Sequence, residues 1–231
     1  DGRLEEARTI THQLSVRGEE LGIPEYAIMT VNQAASAYPI LLGNRDETLT
    51  YLGGFVQTSA IRLQFMAHLG RDKEAQEILE QMVVARPGFG TSDDHTVISM
   101  DIAALEAAVV IGHEKAAQML LDKYAGANIR LVFRFGASCL PQQLGAAAAF
   151  LGRYDEARKY DEKAIKICTE MKFRPGLAIS RLQLAEVLLE HYPAEKKEAL
   201  EHLDFAIKEF REMKMQPSLE RALRQKTILK A

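Results

Sequence analysis

Between Leu144 and Ala164 the chain reads LGAAAAFLGRYDEARKYDEKA, a run of small apolar residues, a glycine, and a second segment in which Tyr154, Ala157 and Ala164 fall on one helical face. The pattern predicts two helices joined at Gly152, because a glycine accepts the left-handed turn that ends a helix. The same pair, a turn glycine with an alanine five residues on, recurs at Gly2 with Ala7, Gly70 with Ala75 and Gly112 with Ala117. Successive glycines lie 41 residues apart from Gly2 to Gly43, 42 from Gly70 to Gly112 and 40 from Gly112 to Gly152. A lone hairpin cannot bury its apolar face. A period near forty therefore predicts a stack of two-helix units that bury one another.

Taken in order, the pattern predicts a helix over Arg3 to Glu20, stopped by Leu21-Gly22-Ile23-Pro24, and a second running to about Leu42. Gly43 to Gly54 departs from the rhythm, since Thr48 stands in the alanine position and Gly53-Gly54 disfavours a long helix, so an irregular hairpin is expected there. Regular helices return over Phe55 to Leu69 and Arg71 to Ala85. Arg86 to Asp94 reads as a loop, with Thr91 or Ser92 as the N-cap of the next helix and Asp93 and Asp94 favouring its positive end. Helices over Thr96 to Ile111 and Glu114 to Tyr124 follow, then a long connection, NIRLVFRFG, from Asn128 to Gly136. Beyond the central hairpin, Leu177 to His191 and Glu195 to Lys214 make another, with Leu200, Leu203, Ile207, Phe210 and Met213 as its buried stripe. Ser218 caps a final helix whose Leu219, Leu223 and Ile228 cover the end of the array.

Charge adds little. The chain of 231 residues carries 29 Lys and Arg against 32 Asp and Glu, and the 17 basic residues against 14 acids from Arg153 onward are too slight an excess to name a nucleic-acid partner. No apolar run reaches the roughly 18 residues of a membrane span. Two cysteines, Cys139 and Cys168, fall in helical patterns as small buried hydrophobes, which suits a reducing, cytoplasmic setting. The chain opens on Asp1 in mid-hairpin and is expected to be a single repeat domain over 1–231, cut from a larger protein.

Candidate chemistry is sparse. Asp93, Asp94 and His95 are too few on one loop to build a metal site, and Gly88-Phe89-Gly90 lacks the strand and lysine of a phosphate-cradling loop. The six histidines are scattered without a nucleophile motif. No catalytic, cofactor or metal residue is assigned. Arg130 and Arg134, four apart on the long connection, stand as a candidate anion contact beside the alternative that the connection's Leu131, Phe133 and Phe135 simply pack.

These residues resemble tetratricopeptide repeats. From Leu120 onward, Tyr124-Ala-Gly126, the Leu144-Gly145 pair, the turn Gly152-Arg-Tyr-Asp-Glu-Ala157 and Arg174-Pro175 are more specifically similar to the C-terminal helical region of large bacterial multidomain signalling ATPases. Proteins of that kind carry a class III nucleotide cyclase domain or a LuxR-type DNA-binding domain elsewhere in the chain. The resemblance implies an all-α, right-handed superhelix of stacked hairpins, without catalytic groups of its own. Its register, counted seven back from each turn glycine, makes Ser36, Leu63, Leu105 and Gly145 the contact positions. By the same count Thr30, Gln33, Gln57, Gln64, Ser99, Glu106 and Gln142 line the concave groove, with Glu186 aligned less directly. The implied partner is a protein, a peptide or a neighbouring domain of the same polypeptide, neither nucleic acid nor membrane, with homodimerisation left open. The alternative is a small-molecule sensor that controls an attached cyclase or transcription regulator.

Overall fold

The computed structural model describes residues 2–23, 38–54, 59–132 and 138–229. Helix α1 covers Leu4–Glu20, α2 Tyr38–Leu42, α3 Arg45–Gly54 and α4 Ser59–His68. Helix α5 spans Asp72–Leu79 and continues as a π-helical turn over Glu80–Val84. Then come α6 (Ile98–Ile111), α7 (Glu114–Tyr124), α8 (Leu140–Phe150), α9 (Tyr154–Glu170), α10 (Arg174–His191), α11 (Lys196–Met213) and α12 (Gln216–Ile228). Among the described residues the fold is all-helical apart from one short ladder between residues 131 and 139.

Four hairpins, α4–α5, α6–α7, α8–α9 and α10–α11, stack in chain order, and their first helices pack α4 on α6, α6 on α8 and α8 on α10. The turn glycines do what the repeat requires. Gly2, Gly43, Gly70, Gly112 and Gly152 all have φ between 74° and 78°, the left-handed conformation that costs an L side chain most. Alanines five residues beyond them, Ala75, Ala117 and Ala157, are fully buried where the next helix begins.

Lys172 and Lys214, after α9 and α11, hold the same left-handed turn at φ 53° and 57° with a β-carbon to accommodate. Lys172→Gly and Lys214→Gly are each expected to raise stability by about 1 kcal/mol. Urea unfolding of the two variants checks this, and no gain in either would show that the lysine side chains offset the strain.

The array bends back on itself. Helix α12 packs on α10 and α11 on one side and on α2 on the other. The turn between α2 and α3 seats on its start, so closely that a β-carbon on Gly43 would lie 2.9 Å from Pro217 Cγ. At the first turn, a β-carbon on Gly2 would lie 2.5 Å from Met213 Sδ. The apolar interior follows this course, with one cluster from Leu52 through Leu63, Leu105, Leu120 and Leu144 to Ala157. A second joins Leu182, Leu203, Phe210 and Ala222 to Leu4 and Leu41 of the first helices.

Several expectations are corrected. No strand was expected, yet the long connection closes with two antiparallel pairs, Leu131 with Cys139 and Val132 with Ser138. A connection that returns to the start of α8 must satisfy its own backbone polar groups, and pairing does so. Cys139 therefore lies just before α8 rather than within a helix. Helix α6 starts at Ile98, without a side-chain cap from Thr91 or Ser92. Helix α12 starts at Gln216 with Pro217 in its first turn, which places Ser218 inside it, and Ile228 is 69% exposed rather than packed over an end. The stretch from 43 to 54 holds one turn and a ten-residue helix that runs through Gly53.

Candidate functional site

Because α4, α6, α8, α10 and α12 face the inside of the bend, their polar residues converge on one cleft of about 460 Å³. The α2–α3 corner, through Pro39, Ile40, Leu41, Gly43, Arg45 and Thr48, closes one side. Apolar wall comes from Leu69, Val109, Ala146, Ile179 and Leu182. Among the described residues its polar groups are His68, Glu106, Gln142, Gln143, Gln183, Ser218 and Arg221, in addition to those of the corner.

Two of these are pinned by neighbours. Gln64 and His68, one turn apart on α4, both reach Glu106 of α6, with Gln64 Nε2 donating to Oε2 at 2.9 Å and His68 Nε2 lying 2.9 Å from Oε1. Burial pushes the Glu106 carboxyl up, but the His68 contact and the Gln64 hydrogen bond outweigh it and bring its titration below the ordinary value. Glu106 thus presents a fixed negative charge. Across the cleft, Arg221 Nε of α12 donates to Glu186 Oε1 of α10 at 2.8 Å. Gln142 enters from the first turn of α8, after Pro141, and is 7% exposed, while Gln183 on α10 is 8% exposed and its Oε1 has no partner among the described residues.

Of the groove residues named from sequence, Glu106 and Gln142 line the cleft directly. Gln64 and Glu186 stand behind it, holding Glu106 and Arg221. Ser99 is buried in the first turn of α6 away from the lining. Thr30, Gln33, Gln57 and Arg134 lie outside the described residues. Arg130 is remote from the cleft, half-exposed, and paired with Glu170 of its own chain. His68, Gln183 and Arg221 are cleft residues that the register count did not reach. The interval gives the missing signal for Gln183, which lies 41 residues beyond Gln142, one repeat on.

The loop before α6 uses its acids for another purpose than metal binding. Asp94 Oδ2 accepts from Lys123 Nζ at 2.6 Å and lies 3.2 Å from Arg86, so the carboxylate is neutralised by its own chain. Among the described residues no three metal-ligating side chains come together. None of their helices is long and apolar enough to cross a membrane.

A family model described as tetratricopeptide repeat matches residues 137–208, the stretch that holds α8, α9, α10 and most of α11. No curated protein matches the chain, and no solved structure does. With the stacked hairpins, this match makes the fold a TPR-like α-solenoid. Repeats of this family generally mediate contacts between proteins and are typically non-catalytic.

Proposed function

We propose that this chain is a non-catalytic interaction module of a bacterial signalling protein, cytoplasmic, which receives a protein partner or a neighbouring domain in its concave cleft and passes the event to an attached output domain. The observation that carries it is the convergence of polar side chains from five helices, α4, α6, α8, α10 and α12, on one cleft, with Glu106 already held in place by Gln64 and His68. Preorganised polar groups in an apolar wall are what recognition needs, since little side-chain entropy is left to lose on binding. A stack of hairpins also suits transmission, because a contact spanning several repeats favours one curvature over another.

The cleft's closure by the α2–α3 corner gives specific support to a second reading, a small-molecule sensor for the same output. The two readings share one test. Glu106→Gln and Gln142→Ala, placed in the full-length polypeptide, are expected to change the response of the attached domain about five- to a hundredfold, the range of a coupling near 1 to 3 kcal/mol. A response that stays unchanged while the array remains folded contradicts both readings and leaves a spacer. Partner capture lost with the same substitutions favours the protein-binding reading.

A further inference from the structure

We infer that Cys139 and Cys168 are a redox pair, in which a peroxide oxidises Cys139 and Cys168 then closes a disulfide onto it. The inference stands apart from the cleft and from both readings of it. The two thiols come from different elements, Cys139 from the end of the short ladder and Cys168 from the last turn of α9. The ladder's second strand packs on α9, and both cysteines are fully buried in one apolar cluster with Ala164 and Ile167. Within that cluster the sulfurs are in contact, the Cys168 thiol donating a hydrogen bond to Cys139 Sγ. The chain has no other cysteine.

Packing alone would ask only for small apolar residues, as at Ala164. Cys139 has more around it. It is the N-cap of α8, where the N–H groups of the first turn have no partner within the helix, and the Gln142 N–H donates to its sulfur. The hydrogen bond from Cys168, with those of Gln142 and the charge of Lys163, outweighs burial and brings the Cys139 thiol below its ordinary value. The hydrogen bond to Cys139 and burial push the Cys168 thiol up. Because the thiolate is the nucleophile, Cys139 reacts first and Cys168 second.

In the first step the Cys139 thiolate attacks one oxygen of hydrogen peroxide. An S–O bond forms, the O–O bond breaks, and the hydroxide released takes up a proton in place of the one the thiol gave up. The sulfur loses two electrons to the peroxide and becomes a sulfenic acid. The negative charge that kept Cys168 protonated is then gone. Cys168 Sγ attacks the Cys139 sulfur, the S–S bond forms, the S–O bond breaks, and the hydroxide leaves with the Cys168 proton as a second water. Two thiols and one hydrogen peroxide become one disulfide and two waters, and a dithiol reductant reverses the change. The bridge fastens the end of the long connection to α9. A transient bond of this kind is the usual form of a disulfide in a reducing compartment.

The probe is hydrogen peroxide, added to the full chain after reduction and removal of the reductant. Free thiols are then alkylated in denaturant and the intact mass is read. The expected product is monomeric, lighter by two hydrogens, free of alkylation, and returned to two thiols by dithiothreitol. With Cys168→Ala the reaction should stop at a sulfenic acid on Cys139, which a cyclic diketone traps. With Cys139→Ala the oxidation of Cys168 should slow about tenfold. Thermal unfolding shows which variants are folded, and the unsubstituted chain decides the matter even where a variant is not. Thiols that stay reduced, a bridge formed only between two chains, or trapping of Cys168 as readily as Cys139 overturns the inference. Any of these leaves the interaction-module reading as it was, because the cleft takes no part in the reaction.

Discussion

Asp101→Ala is expected to cost about 3 to 5 kcal/mol, because it takes one of two carboxylates from a mostly buried pair of cations, Arg86 and Lys123, and leaves Asp94 to face both. Asp101 is 1% exposed and accepts from Arg86 Nη1 at 2.7 Å, Lys123 Nζ at 2.7 Å and Tyr124 Oη at 2.7 Å. Arg86 and Phe89 come from the loop before α6, Lys123 and Tyr124 from α7, and both cations also lie over the Phe89 ring. One carboxylate thus ties a loop to a hairpin. Tyr124→Phe removes only one hydrogen bond and should cost about 1 to 2 kcal/mol. Urea unfolding separates the two, and equal small losses would show that the network is solvated. Asp94, in the same network, adds a pH signature. Burial raises its carboxyl, but the hydrogen bonds from Lys123, Gly90 and Thr96 win and hold it far below its ordinary 3.8. Its stabilisation is therefore complete above that value and is lost as pH falls through the lower folded one. Asp94→Asn should flatten the acid limb of the stability curve.

Asp161→Ala is expected to act in the opposite direction, raising stability at neutral pH by about 1 to 3 kcal/mol. Asp161 is fully buried on α9, and neither carboxylate oxygen has a partner among the described residues. Burial pushes its carboxyl well above the ordinary range, the Glu186 charge adds to this, and Arg221 opposes it. The folded state therefore keeps a proton that the unfolded chain releases near 3.8, and the protein loses stability as pH rises from there through the folded value. Asp161→Ala should remove that slope. The site also couples to Gly145, where a β-carbon would lie 2.3 Å from Asp161 Oδ1. Gly145→Ala alone should destabilise, and in the Asp161→Ala background its methyl group gains room, a coupling of about 1 to 3 kcal/mol. Destabilisation by Asp161→Ala with the slope intact would show a charged, well-partnered carboxylate instead.

What could be read from the sequence follows the backbone. Turn glycines announce themselves because only glycine takes the left-handed turn cheaply, and Ala117 and Ala157 because a closely packed helix start admits nothing larger. Glu106 and Gln142 were reachable by counting back from Gly112 and Gly152. Gln183 was not, since α10 ends at His191-Tyr192-Pro193 and provides no glycine from which to count. The closing of the cleft depends on Gly43 meeting Pro217, a contact between distant segments that no local period encodes. The Asp101 network is similarly hidden, because its partners sit 15 and 22 residues away on a loop and a neighbouring helix without a shared rhythm.

The central claim is that recognition takes place inside the bend. A photo-activated crosslinking amino acid at Val110, in the cleft wall, or at Lys115 or Lys166, exposed on the outer helices α7 and α9, tests it in the full-length protein within its native cells. The account predicts a discrete crosslinked partner or neighbouring domain from position 110, lost with Gln142→Ala, and none from 115 or 166. Crosslinks from the outer positions alone, with Glu106→Gln and Gln142→Ala silent, would contradict it.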